Sequence, residues 1–142
     1  MSGGDGGSRR DDARSEAREQ AVMLLYEAEQ RTVAPGSLLD ERSVAHGELT
    51  GLLVRGVEAA SGGIDEVIAA HSRGWTVERM PALDRAILRV GVFELRERAD
   101  VPTAVVIDEA VRLAKRFSTD DSGRFVNGVL AAVARATRAD GP

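Results

Sequence analysis

The 142-residue chain has no cysteine, a single lysine (Lys115), a single tryptophan (Trp75) and a single tyrosine (Tyr26). Without a thiol it can form no disulfide, thiolate nucleophile, cysteine-ligated zinc site or iron–sulfur cluster. No apolar run approaches the roughly 18 residues needed to cross a membrane, which excludes a transmembrane span. The first residues also lack the basic-then-apolar order of a signal peptide, so the expected location is the cytoplasm. Phosphate-binding and nucleophile-elbow patterns are missing as well: the paired glycines Gly3-Gly4 and Gly62-Gly63 do not sit between a strand and a helix. His46 and His71 stand 25 positions apart with no zinc-binding spacing, and they read as solvated or half-buried side chains, so no metal is expected. The adjacent acids Asp108-Glu109 and Asp120-Asp121 point about 100° apart on a helix and suit helix-start charge better than acid–base work. No catalytic residue and no cofactor is expected, and binding is the function that remains.

What is present is helical. The length suits one domain, whose composition is 43 % hydrophobic and 30 % charged. Residues 1–12, glycine-rich and without an apolar side chain after Met1, read as a disordered tail, residues 13–138 as the folded domain and residues 139–142 as a short flexible C-terminus. Apolar residues recur at helical spacing from Ala13 to Arg31, where Pro35-Gly36 ends the first helix. Leu38 and Leu39 suggest a short turn, and His46 to Ala60 a second amphipathic run. Ser61-Gly62-Gly63 breaks the chain before a helix through Ile64, Val67 and Ile68 that stops near Gly74. Trp75 and Met80 are placed to plug the gap ahead of Pro81, the expected first helical position. From Pro81 to Arg98 only Arg85, Arg89 and Arg96 interrupt an apolar circumference, which is the wheel of a central helix. Thr103–Phe117 follows, supported by an Asp108–Arg112 pair, and a capping box at Ser118 with Asp121 opens a last helix to Arg138. The fold class is all-α, a compact bundle of about six to seven helices.

With 19 basic against 23 acidic residues the formal charge is −4, so nucleic-acid binding requires a local basic face. Arg10, Arg14 and Arg18 recur every fourth residue, and the last two continue the stripe of Ala21, Val22 and Leu25. Either their guanidinium groups project beyond the core toward a phosphate, or they snorkel and pair with Asp11, Asp12 and Glu16. Arg112 to Arg138 carries six basic and two acidic residues, a second basic face. Within it Asn127-Gly128, a dipeptide that favours hairpin turns, lies in a helical pattern. The break has two readings: an exposed recognition role for Asn127, or close helix packing at Gly128.

Three stretches, AREQAVMLLYEAE (17–29), DRAILRVGVFEL (84–95) and DVPTAVVIDEAVRLAKRFSTDDSGRFVNGVLAAV (100–133), resemble the NusB family of bacterial transcription antitermination factors. The resemblance spans about residues 13–138 and implies the all-helical NusB fold. It also implies binding to the boxA element of ribosomal RNA leader transcripts together with NusE, a small-subunit ribosomal protein, within the RNA polymerase antitermination complex. By resemblance, Arg14 and Arg18 fall in the arginine-rich RNA segment, Arg124 and Phe125 match a basic–aromatic pair on the RNA surface, and Asp121 lies beside it. Tyr26 and Asp84 match positions facing NusE, with Arg85 and Arg89 nearby. Ser15 and Glu16 stand where relatives often carry further arginines, so stronger dependence on NusE is expected. The alternative from another class is a helical protein-interaction module or self-dimer with weak autonomous RNA binding. An RNA-modifying enzyme, a third class, lacks any catalytic domain here.

Overall fold

A computed structural model describes the backbone of residues 3–42 and 47–138 and side chains from Arg9 onward. His46 and residues 139–142, for which expectations were given, lie outside the described residues. Seven α-helices and no strand occur in this part of the chain: α1 (Gly3–Arg31), α2 (Pro35–Glu41), α3 (Glu48–Ala59), α4 (Ser61–His71), α5 (Ala82–Glu97), α6 (Thr103–Phe117) and α7 (Asp120–Thr137), with a 3₁₀ turn at Val77–Arg79 before α5. None is long and apolar enough to cross a membrane.

α5 is the axis of the bundle, packed against α1, α3, α4, α6 and α7. Its Ile87, Leu88, Val92 and Leu95 are at most 2 % exposed, which is what an apolar circumference requires of a helix. Glycine decides two of these approaches. A Cβ at Gly91 would stand 2.8 Å from Leu130 Cδ1, so its absence lets α7 lie close to α5, and Gly56 of α3 similarly makes room for the Phe93 ring. α6 and α7, separated only by Ser118 and Thr119, pack along each other and complete the bundle.

Several boundaries differ from the sequence reading, each for a local reason. α1 continues back to Gly3, whereas composition placed a tail through residue 12; once a helix is anchored, each added residue gains a hydrogen bond without a new nucleus. At its other end α1 stops because Thr32 turns left-handed (φ 55°) and Val33 N–H bonds Ala28 O at 3.0 Å. Pro35 does not end that helix but opens α2. Gly62 and Gly63 do not break the chain; they fill the first turn of α4, where backbone N–H groups have no intrahelical partner to lose, and the break is the single residue Ala60. Pro81 is the N-cap of α5, one position before the expected one. The cap of α7 is Thr119, whose hydroxyl accepts from Ser122 N–H at 3.0 Å, while Ser118 closes α6. Met80 is buried, but Trp75 is 54 % exposed and plugs nothing.

Candidate nucleic-acid interface

The N-terminal arginine stripe divides in two. Arg10 and Arg14 are exposed and pair with no carboxylate among the described residues. Arg18, 4 % exposed, is a core residue, and its expected role as a projecting phosphate ligand is corrected. The partners are not Asp11, Asp12 or Glu16. Arg18 Nε and Nη2 donate to the two carboxylate oxygens of Glu94 on α5, at 2.8 and 3.0 Å, and Nη1 reaches Glu109 of α6 at 3.4 Å. One turn earlier on the stripe Ser15 also donates to Glu109. Arg98 approaches Glu94 at 3.1 Å, and Arg112 donates to Glu109 at 2.9 Å rather than pairing with Asp108. Burial alone would lower the Arg18 pKa, but Glu94 and then Glu109 outweigh it and hold the guanidinium above its ordinary value. The side-chain stripe therefore leaves the core at Arg14, one turn before the position expected from its spacing.

Arg85 and Arg89 on α5 are likewise engaged within the chain. Arg85 donates to Glu29 of α1 and to the carbonyls of Val77, Glu78 and Met80, which fixes the 3₁₀ turn. Arg89 forks onto Asp65 of α4, with both bonds at 2.9 Å, and reaches Glu29 at 3.0 Å. These ties hold Glu29 below the usual carboxylate range, Arg85 contributing most, against partial burial, with help from Arg89. Tyr26 is half-buried against the core. Asp84 is 3 % exposed and turned inward: its Oδ2 accepts from Ser122 Oγ at 2.9 Å, and its Oδ1 has no partner. Burial pushes the Asp84 carboxyl up, only partly offset by Ser122 and Ser118. An acid whose pKa rises on folding burdens the native state once the pH exceeds its ordinary value of 3.8. Asp84→Asn is therefore expected to raise the urea midpoint at pH 7 but not at pH 3, where the carboxyl is neutral folded or unfolded; an equal change at both pH values would contradict this.

Of the basic–aromatic pair that the resemblance implies, Arg124 lies on the outer side of α7. Arg124 and Asp121 are both exposed and bond to each other across one helical turn. Asn127 is exposed and shares a groove between α6 and α7 with Arg112, Lys115 and Arg124. Lys115 is a member of this face that the residue-by-residue reading left out, although the basic excess of this stretch signalled it. Its seat depends on Gly123, where a Cβ would stand 2.9 Å from Lys115 Cγ. Phe125 is half-buried on the next face of α7, and its ring centroid is 6.2 Å from that of Trp75. Arg138 does not belong to the basic face: its guanidinium is turned into the α5–α6 connection.

Of the two readings of Asn127-Gly128, close packing at Gly128 is excluded. No side chain or neighbouring helix lies within 4 Å of a Cβ built there, and the glycines that do admit close neighbours are Gly36, Gly56, Gly91 and Gly123. Gly128→Ala is expected to stabilise the protein by roughly 0.5–1 kcal/mol through helix propensity alone. A destabilisation in thermal unfolding would mean that position 128 is constrained.

Comparison with known proteins agrees with this fold. The model of the NusB family matches residues 15–135. Two relatives described as transcription antitermination protein NusB are similar over most of their length: one from Beutenbergia cavernae is 49 % identical over 137 residues, covering 87 % of this chain and 90 % of the relative. The other, from Saccharopolyspora erythraea, is 52 % identical over 128 residues, covering 86 % of each. Among solved structures, NusB of T. maritima superposes with a TM-score of 0.80 at 29 % identity over 89 % of this chain and 94 % of that one. A crystal structure of antitermination factors NusB and NusE in complex with double-stranded RNA gives 0.77 at 29 % identity, over 88 % and 98 %.

Proposed function

Because the chain belongs to the NusB family, we propose that it is a non-catalytic transcription antitermination factor that binds boxA RNA of ribosomal RNA leaders jointly with NusE. The observation that carries this reading is the α6–α7 face, where Arg124, Lys115 and Asn127 line one groove with Phe125 on the adjoining face of α7, on a fold similar to a chain of the structure of NusB and NusE with double-stranded RNA. Arginine and lysine hold phosphates, and a partly exposed phenylalanine offers a ring on which an unpaired base stacks. Exposed Arg10 and Arg14 extend the cationic surface on α1, and Asp121 holds Arg124 in place until a phosphate competes for it. Tyr26 lies on the surface assigned to NusE, with Arg85 and Arg89 shaping it from within rather than reaching outward. The working location is the cytoplasm, beside the transcribing polymerase.

A net charge of −4 disfavours unaided RNA binding, so NusE is required for tight association. Fluorescence anisotropy of labelled boxA RNA at moderate salt is expected to rise strongly when chain and NusE are added together and weakly with the chain alone. No rise with both proteins present would refute the reading.

A further inference from the structure

The α6–α7 groove, about 560 Å³ in volume, is lined by Arg112, Lys115, Arg124, Asn127 and, as its single carboxylate, Asp108. Of the 19 basic residues in the chain Lys115 alone is a lysine, and it lies in this groove. Its stem rests on the bare backbone of Gly123, where a Cβ would stand 2.9 Å from Lys115 Cγ. The residue is exposed and forms no ion pair among the described residues. Two guanidinium groups share the groove with it: Arg112 is tied to Glu109 through Nε at 2.9 Å, and Arg124 bonds to Asp121. A lysine amine gives up its proton and forms amides, whereas a guanidinium stays charged and does not. Lys115 is therefore the one position on this face where reaction with a carboxylic acyl group cancels a positive charge.

We propose that this groove binds an acyl phosphate and that Lys115 is acylated there, which weakens the grip on RNA. Arg112 and Arg124 offer guanidinium forks to the phosphoryl oxygens, with the Lys115 amine in the same groove. Once Nζ has released a proton to solvent, its lone pair attacks the carbonyl carbon of the mixed anhydride. The bond from that carbon to the bridging oxygen breaks, its electron pair leaves with inorganic phosphate, and a further proton passes from nitrogen to solvent. The products are a neutral amide on Lys115 and free phosphate, with nothing oxidised or reduced. Donor phosphate and RNA phosphates compete for the same cations, so a bound transcript shields the lysine and an acylated lysine disfavours the transcript. The proposal rests on the RNA-binding reading above and adds to it a covalent control.

Acetyl phosphate is the probe, and the chain's only other amine, the α-amino group, is the internal reference. Peptide mass spectrometry is expected to show Lys115, measured against the α-amine, favoured several-fold more by acetyl phosphate than by the neutral N-hydroxysuccinimide ester of acetic acid, which has no phosphate to hold. Arg112→Gln combined with Arg124→Gln should abolish that preference while leaving the reaction with the neutral ester unchanged. Addition of boxA RNA and NusE should suppress acetylation of Lys115 by both donors. The acetylated chain should bind RNA more weakly in the presence of NusE, with a log–log salt slope shallower by about 0.7, the value for one lost contact to single-stranded RNA. The same treatment should leave the affinity of Lys115→Arg where it was before treatment, since that variant has no side-chain amine to react. An equal preference for Lys115 with both donors, or one that survives in the double variant, overturns the anion site. Complete acetylation without change in RNA affinity or slope overturns the control. If the untreated chain and NusE bind no RNA, the RNA-binding reading falls and the control with it, a result told apart from failure of the anion site because the acetylation ratios need no RNA.

Discussion

Arg18→Ala is expected to cost about 3–5 kcal/mol of folding stability, because it leaves Glu94 buried without its main counter-ion. Glu94 is 1 % exposed and receives two of its hydrogen bonds from this one guanidinium. Arg98 supplies a third from a more exposed position, which moderates the loss without cancelling it. Two further variants separate loss of the pair from loss of volume. Arg18→Lys keeps the charge but not the fork, so it should recover only part of the stability. Arg18→Met combined with Glu94→Leu removes both charges and should be much milder than either truncation, since apolar replacement of a buried pair is often near neutral. Urea denaturation at pH 7 reads all three. A loss below about 1 kcal/mol for Arg18→Ala would place this arginine at the surface after all.

Arg138→Ala carries the second large effect, about 2–4 kcal/mol. The side chain leaves the end of α7 and donates to five acceptors in the connection between α5 and α6: the carbonyls of Leu95 (3.0 Å), Val101 (2.6 Å), Glu94 (3.1 Å) and Arg98 (3.0 Å) and the hydroxyl of Thr103 (3.1 Å). Three of these carbonyls lie in the last turn of α5 and its C-cap; those of Glu94 and Arg98 already accept the N–H groups of Arg98 and Val101, both at 3.0 Å, so the cation adds second bonds there and meets the negative end of the helix dipole. Lysine offers no planar fork and should restore little. Loss of amide protection in the α5–α6 turn, read by hydrogen exchange, is the local signature of the variant; uniform protection with unchanged stability would contradict the assignment.

These two arginines show where sequence reading fails. Helices announce themselves through neighbours three and four residues away, and so α3, α5, α6 and α7 are legible to within a residue or two at most ends. Arg124 and Asn127 are legible for the same reason, since their exposure follows from the stripe of Val126, Val129, Leu130 and Val133 that faces inward, whereas Phe125 reads as a member of that stripe and its half-burial beside Trp75 depends on tertiary packing. Arg18 and Glu94 are 76 residues apart, and nothing local marks Glu94 as buried or Arg18 as its partner. Arg138 looks like one more cation on a basic helix until the α5–α6 turn is brought beneath it. The same holds for Asp84: its position on α5 is readable, but its burial beside Ser122 depends on how α5 and α7 meet.

The central claim is that cations of the α6–α7 face hold RNA phosphates in the complex with NusE. It is tested most directly by the salt dependence of boxA binding, in the presence of NusE, for the chain and for Lys115→Ala combined with Arg124→Ala. Neither residue belongs to the buried ion-pair network, so the double variant should fold normally. The account predicts weaker binding with a log–log salt slope shallower by about 1.4, the value for two lost contacts to single-stranded RNA. An unchanged slope and affinity would contradict it.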